Sequence, residues 1–185
     1  LDVTVRDLIV EGNQTFDQAA NGLTINRDWT VQTGATHDLS GGSLDVTDAG
    51  ATITNAGTVR LQGGQTVTLA PAFDDTQGTV EHDGAGGPYT GLPFGASYFA
   101  LSFTGTGTWD LDAITTVNNN LTITSGTFST NGQNLSVTGN ITGAGQLQAT
   151  ASETIATAGN FQPGSFTPST STVQFTGANV QTVNG

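Results

Sequence analysis

The chain has 185 residues, of which 35% are hydrophobic, 10% are charged and 26 are glycine. This composition is typical of a folded or repetitive β protein and argues against a disordered chain, which would carry denser charge or more proline. Fifteen acidic residues face three arginines and no lysine, and the resulting net charge of −12 argues against nucleic acid and anionic membrane surfaces as partners.

The chain contains no cysteine, which removes disulfides, thiolate nucleophiles and cysteine-based zinc sites. It starts with LDVTVRDLIV, which lacks the basic and apolar regions of a secretion signal, so we expect any such signal to lie outside this sequence. The longest apolar stretches, such as residues 98–101, are far shorter than the ~20 residues that cross a bilayer. We therefore expect no membrane insertion.

The first half of the sequence aligns with the second half at an offset near 92 residues. Trp29, for example, falls on Leu121 at an offset of 92. Matching apolar and glycine positions keep the same order along the whole unit. The alignment predicts two tandem copies of a ~92-residue unit, residues 1–93 and residues 94–185, joined in one continuous structure.

Within each unit, short segments alternate between apolar residues and threonine, serine or other polar residues, which predicts half-buried strands of three to five residues. Residue pairs that contain glycine separate these segments and favour tight turns. No stretch keeps a helical period for more than about one turn. In chain order the predicted strands include residues 44–46, 52–54, 67–69, 121–123, 135–137 and 173–175.

This pattern predicts an all-β parallel β-helix, or β-solenoid, in which each turn buries its apolar residues under the next. The alternative is a pair of tandem immunoglobulin-like β-sandwiches, which have the right size per unit. Sandwich strands are usually longer and turn every ~8–12 residues, whereas turn signals recur every five to seven residues over 120–149. Asn118 to Asn120 precede a strand, and we expect them to begin a ladder of stacked asparagines.

Two strings in the second unit, LTITSGTFSTNGQNLSVTGNIT (121–142) and FTPSTSTVQFTGANVQTVNG (166–185), carry a family resemblance. In rhythm and composition they resemble the strand repeats of filamentous-haemagglutinin-like adhesins and other β-helical fibres of bacterial surfaces. The resemblance implies a segment of a long extracellular or cell-surface protein that acts as a stalk, fibre or adhesive array. It carries no catalytic motif.

Parallel β-helices also include polysaccharide lyases and hydrolases, which need a defined set of catalytic residues. A lyase needs carboxylates beside a basic residue, but Arg27 adjoins only Asp28, an exposed charge pair. His37 and His82 have acidic neighbours, yet the second unit has Ser129 and Phe175 at the aligned positions and no nucleophile is defined. We therefore expect that the protein is not an enzyme.

Six aspartates form three close pairs, a spacing at which oxygen ligands can converge on calcium. None lies in an EF-hand loop or a glycine-rich calcium repeat, and a surface-exposed acidic face is the favoured explanation. We therefore expect no required cofactor, and keep structural calcium as an alternative. The candidate ligands are Asp45, Asp48, Asp74, Asp75, Asp110 and Asp112.

The aromatic residues separate into two groups. Trp29 and Trp109 align with apolar residues of the other unit, which predicts core packing. The irregular junction between the units is the place where we expect contacts with a surface glycan or a protein ligand. Its candidate contact residues are Tyr89, Phe94, Tyr98 and Phe99.

We expect the protein to be a structural or adhesive repeat module of a fibre on a prokaryotic surface, partnered by itself or by neighbouring repeats. Because the last residues match the phase of residues 85–92, we expect open solenoid ends that associate head to tail. The alternative is a solenoid that binds surface glycan or, through outward threonine pairs such as those at residues 52–54, ice. The candidate association residues are Val3, Val5, Leu8, Val10, Val180, Thr182 and Val183.

Overall fold

The computed structural model describes residues 1–184, in which twenty-five short strands and no helix are found. The described part of the chain therefore contains no helix that could span a membrane. The strands of the first half of the molecule, residues 1–83, are β1 (Val3–Val5), β2 (Leu8–Val10), β3 (Thr15–Asp17), β4 (Leu23–Ile25), β5 (Trp29–Val31), β6 (Thr36–Asp38), β7 (Leu44–Val46), β8 (Ile53–Asn55), β9 (Thr58–Leu61), β10 (Val67–Leu69) and β11 (Thr79–His82).

The second half, residues 84–184, continues with the same short strands. They are β12 (Tyr89–Thr90), β13 (Ser97–Tyr98), β14 (Ala100–Phe103), β15 (Thr108–Asp110), β16 (Thr115–Val117), β17 (Leu121–Ile123), β18 (Thr127–Ser129), β19 (Leu135–Val137), β20 (Ile141–Thr142), β21 (Gln146–Gln148), β22 (Thr154–Thr157), β23 (Phe161–Gln162), β24 (Ser165–Thr167) and β25 (Thr172–Phe175).

The strand pairs are parallel, and each strand pairs with a strand about one turn of the coil away. Val3 is opposite Leu23, and Leu23 is opposite Leu44, so one turn takes about twenty residues. The chain makes about nine such turns. The β-solenoid prediction is therefore confirmed, since an immunoglobulin-like sandwich is built from antiparallel sheets.

The turns build a prism with three faces. Face 3 is one unbroken eight-stranded sheet from β3 to β23. Face 1 consists of β1-β4-β7-β10 followed by β12-β15-β18-β21-β24, and face 2 consists of β2-β5-β8 followed by β13-β16-β19-β22-β25. Turns 1 to 3 take three strands each, turn 4 takes β10 and β11, turns 5 to 8 take three strands each, and turn 9 takes β24 and β25.

Face 1 is interrupted between turns 4 and 5, and face 2 is interrupted at turn 4; we call this break the seam. Three of the five prolines, Pro71, Pro88 and Pro93, lie there. Because proline has no backbone N–H to give to a sheet ladder, it favours such breaks. Residues 70–78, which would form the face 2 strand of turn 4, contain no strand.

The repeat visible in the structure is the turn, and the chain is a tandem array of turns. The 92-residue offset places Trp29, in β5 on face 2, on Leu121, in β17 on face 3. It therefore does not correspond to a whole number of turns. The division into residues 1–93 and 94–185 stays a prediction, and its boundary falls in the irregular fifth turn.

The core is a stack of inward side chains in register along the axis. On face 3 Val59, Val80, Leu101 and Leu121 lie in one column, all essentially buried. Burying each such side chain contributes about 1.5–3 kcal/mol. Trp29 and Trp109 are fully buried, which confirms their predicted core positions.

An asparagine ladder runs along the corner that precedes face 3 in the second half. The Asn120 side-chain oxygen accepts the backbone N–H of Asn140 at 2.8 Å, and the Asn140 oxygen accepts that of Asn160 at 2.8 Å. The Asn160 oxygen accepts the N–H of Thr182 at 2.8 Å. This confirms the predicted ladder, which starts at Asn120; Asn118 instead donates to the carbonyl of Asp75 at 3.0 Å.

Candidate functional site

The two axial ends of the solenoid carry nearly all of the exposed apolar surface. Eight large hydrophobic side chains are exposed in residues 1–184, and only Ile114 lies away from the end turns. Phe16 and Val3 point inward but remain 37% and 45% exposed, because no turn of residues 1–184 covers them. The exposed residues of the ends are Leu1, Val3, Ile9 and Phe16 in turn 1, and Phe175, Val180 and Val183 in turn 9.

The residues predicted for self-association lie at these ends, with one difference. Val3, Val180, Thr182 and Val183 are exposed, and Val5 and Leu8 are half-buried. Val183 forms a parallel bridge to Phe161, so it is the outermost position of its column. Val10 is only 4% exposed, because it packs under Val31 of the next turn, and so it belongs to the core.

Sequence reasoning missed four exposed apolar residues at the ends: Leu1, Ile9, Phe16 and Phe175. Phe16 lies opposite the buried His37, and Phe175 lies opposite the buried Thr157. Each is the terminal member of a column of inward side chains, Phe16 in turn 1 and Phe175 in turn 9. The signal that could have found them is the register between successive turns, which a 92-residue alignment does not provide.

A cavity of about 480 Å³ opens on face 1 at the seam, and we call it the seam groove. One wall is β10 with the residues before it, and the other is β12 with the residues after it. Gly63 is the floor: a Cβ there would lie 2.6 Å from Trp109 Nε1 and 2.9 Å from Tyr89 Cγ. The lining residues include Gly64, Thr66, Val67, Tyr89, Thr90 and Asp112.

Of the four aromatic residues predicted as ligand contacts, only Tyr89 lines the seam groove, where its ring lies 5.8 Å from that of Trp109. Phe94 is buried and stacks on Phe73 at 4.5 Å. Tyr98 is fully buried, its hydroxyl donates to the carbonyl of Gly95 at 2.8 Å, and burial raises its pKa. Phe99 is half-buried outside the groove. Neither of the two buried rings lines the seam groove.

Three of the six candidate calcium ligands accept hydrogen bonds from other groups of the protein. Burial opposes ionisation of Asp74, but hydrogen bonds from Thr76 and from the N–H of Asn55 lower its pKa overall. The Asp75 carboxylate accepts the Ser97 hydroxyl at 2.5 Å. The Asp48 carboxylate accepts a backbone N–H within its own turn.

The other three candidate ligands lie on face 1 or at its edge. Asp45 lies opposite Thr24 and Thr68, Asp110 lies opposite Ser129, and Asp112 lines the seam groove. No group of three histidine, cysteine, aspartate or glutamate side chains in residues 1–184 is arranged to hold a metal ion. Structural calcium stays a prediction.

Comparison with protein-family models, with curated proteins and with solved structures gives no match. The arguments on function therefore depend on the ends of the solenoid, the seam groove and the core.

The two histidines are core residues. Burial lowers the pKa of His37 to about 4 and that of His82 to about 3. His82 lies between Leu61 and Phe103 in an inward column and stacks on the Phe103 ring at 5.1 Å. Neither imidazole reaches the surface, so their acidic neighbours in sequence do not form a surface site with them. The expectation that the protein is not an enzyme stays an expectation.

Outward threonines form one short row on face 3. Thr15, Thr36, Thr58 and Thr79 are in register, and the next position is Ala100. The neighbouring outward row on the same strands is charged: it holds Asp17, Asp38, Arg60 and Glu81. Ice binding stays a prediction, and this single row is the longest registered threonine array on face 3.

Proposed function

We propose that the chain is a structural module of an extracellular or cell-surface fibre, extended along its axis by contact between end turns. The partner is a second copy of the chain or a neighbouring repeat of the same protein. The observation that carries the proposal is the concentration of exposed apolar side chains at the two ends, with Ile114 as the single exception in residues 1–184.

The end strands also have free hydrogen-bonding edges. Strand β1 pairs only with β4 on face 1, and β25 pairs only with β22 on face 2. An edge strand presents a row of unpaired N–H and C=O groups that another strand can use. Stacking turn 9 of one copy on turn 1 of the next would continue the ladder at the usual spacing of ~4.8 Å and remove apolar surface from water.

The surface location and the adhesive role are supported by composition and by the resemblance in rhythm to bacterial fibre repeats. The chain has no cysteine and a net charge of −12, and such a charge keeps a long exposed protein soluble. Glycan binding is the alternative function, and Tyr89 in the seam groove is its best-placed contact residue.

The experiment measures end-to-end association by analytical ultracentrifugation and electron microscopy, over a hundredfold range of concentration. We expect filaments or short rods whose length grows with concentration. Phe16→Lys and Val183→Lys each put a charge on one end, and we expect at least tenfold weaker association, because burying an unpaired lysine is costly. Ile114→Lys is the matched control, since Ile114 is exposed away from the ends, and it should associate like the unaltered chain.

Two results would contradict the proposal: single particles at every concentration, or association that Ile114→Lys weakens as much as Phe16→Lys does. Circular dichroism of each variant should keep the β spectrum, which separates lost association from lost folding. A parallel series with a calcium chelator tests the six aspartates, because calcium-dependent association would support a bound ion.

A further inference from the structure

The seam groove lies between two strand edges that run in the same direction. Strand β10 pairs with β7 and not with β12, although β10 and β12 occupy the same face in consecutive turns. Strand β12 pairs only with β15. Each groove wall is therefore a strand with one side unpaired, in the middle of the molecule and not at its ends.

The directions of the backbone groups follow from the hydrogen bonds that are made. The Thr66 carbonyl accepts the N–H of Leu44, and the N–H of Ala70 donates to Val46, at 3.0 and 2.9 Å. Because alternate residues of a strand direct their N–H and C=O groups to opposite sides, those of Val67 and Leu69 face the groove.

The opposite wall follows the same rule. The N–H of Gly91 donates to the Asp110 carbonyl at 2.9 Å, so the N–H and C=O of Thr90 face the groove. Pro88 precedes them and has no N–H to close the gap with β10. The groove also continues along the strand direction, because a second cavity of about 240 Å³ shares Pro93 with it and is bounded by Leu69 and Phe94.

We propose that the seam groove binds an extended peptide of a partner protein, which adds as a strand between β10 and β12. Main-chain hydrogen bonds to Val67, Leu69 and Thr90 would hold the peptide, as in strand addition to sheet edges generally. Alternate side chains would point inward against Val67 and Tyr89, so the peptide alternates apolar and polar residues.

The charge of the groove points to a basic peptide. Asp112 is the single charged residue among those that line it, and its side chain is exposed. The chain has no lysine, only three arginines and a net charge of −12. A basic side chain that pairs with Asp112 is therefore expected to belong to another protein. The basic residue would set the position of the peptide along the groove.

The probe is the peptide KTVTVRTK, acetylated and amidated, added to the full chain. Hydrogen exchange measured by NMR should show the amides of Val67, Leu69 and Thr90 slowed at least tenfold by a saturating amount of peptide. The control peptide KTPTPRTK has the same charge but cannot form a strand, and it should leave these amides unchanged. Equal protection by both peptides would overturn the proposal, since it would show attraction by charge alone.

Two variants locate the site. A Cβ at Gly64 meets only Tyr89 ring atoms at 3.5 Å or more, so Gly64→Leu should fold and fill the groove, abolishing protection. Gly50→Leu is the matched control, because Gly50 is exposed, does not line the groove, and a Cβ there meets only the side chain of Asp48, at 3.4 Å. Asp112→Asn should weaken binding about two- to fivefold, as expected for an exposed ion pair.

Several results would overturn the proposal. One is unchanged binding in Gly64→Leu, and another is protection that appears at β1 or β25 instead of the seam. A third is no binding of KTVTVRTK at millimolar concentration. If a neutral oligosaccharide such as cellohexaose shifts the Tyr89 resonances while the peptide does not, the groove is a glycan site instead. None of these results depends on the end contacts of the proposed fibre.

Discussion

Successive turns are held together by different interactions in the two halves of the solenoid. Twelve of the fifteen acidic residues, all three arginines and both histidines lie in residues 1–83. There Arg27 bridges Asp7 and Asp28 at 2.7 and 3.2 Å, and Arg60 lies 2.9 Å from Glu81 in the next turn. Arg27 and Asp28 are about 40% exposed, in agreement with the exposed charge pair predicted from the sequence.

The second half instead uses neutral side chains and one buried acid. Asn120, Asn140 and Asn160 link four turns through backbone N–H groups. Glu153 is buried, and its carboxylate accepts the N–H groups of Thr150 and Ala151, both at 2.8 Å. The comparison shows that one coil can be held by ion pairs, which respond to salt, or by amide ladders, which do not.

The largest expected difference between the halves is their response to acid. Burial lowers the pKa of His37 and His82 below 6.5 in the folded chain. The stability that depends on the neutral imidazoles is therefore complete above pH 6.5, and it is lost as the pH falls and the unfolded chain binds protons. Between pH 7 and pH 5 we expect the free energy of unfolding to drop by about 2 kcal/mol per histidine.

Glu153 loses its contribution in the same direction but only at lower pH. Burial alone would raise its pKa, but the Thr130 hydroxyl and backbone N–H groups together lower it to about 2. Its contribution is complete above pH 4.5 and is lost as the pH falls toward 2. Hydrogen exchange at pH 5 should therefore show the first half opening while residues near Glu153 stay protected.

Urea unfolding of the double variant His37→Leu/His82→Leu checks the assignment. Leucine fits the apolar columns that both histidines occupy, and the variant should keep the same free energy of unfolding at pH 7 and pH 5. Asn119→Ala changes a residue of the second half whose side chain makes no hydrogen bond within residues 1–184, and this variant should keep the pH dependence of the unaltered chain. A double variant as acid-sensitive as that chain would contradict the role of the histidines.

A smaller effect is expected from breaking the amide ladder. Asn140→Ala leaves the backbone N–H of Asn160 without its side-chain acceptor, and the loss should cost about 1–2 kcal/mol of unfolding free energy. The cost should be the same in 50 mM and 1 M sodium chloride. Asn119→Ala is the matched control and should change stability by less than ~0.5 kcal/mol. A cost that shrinks in high salt would contradict a neutral ladder.

The sequence was sufficient for the parts of the fold that local pattern determines. Alternation of apolar residues with threonine predicted short strands, and the three asparagines before Leu121 predicted the ladder. The turn length could not be obtained in the same way, because the inward pattern is the same on all three faces. An alignment can therefore match Trp29 of face 2 with Leu121 of face 3.

The sites depended on long-range placement, and there the sequence was less informative. The burial of Val10, Phe94 and Tyr98 is decided by the turn above each of them, which local pattern does not specify. The seam did have a sequence signal. Three of the five prolines lie in residues 71–93, and their inability to donate to a ladder could have predicted a break in the sheets.

The smallest effect is expected from the ion pairs of the first half, and it tests the comparison most directly. Arg60 is 34% exposed and reaches Glu81 and Asp38 at 2.9 and 3.6 Å. Arg60→Gln should cost about 0.5–1 kcal/mol at low salt, because partly exposed pairs are screened by water, and less in 1 M sodium chloride. Arg6→Gln is the matched control, since Arg6 is 74% exposed and 4.0 Å from Asp7. Urea unfolding measures the free energy of unfolding of both variants. If Arg60→Gln lowers it more than Asn140→Ala does, and the loss persists in high salt, ion pairs stabilise this solenoid more than amide hydrogen bonds do.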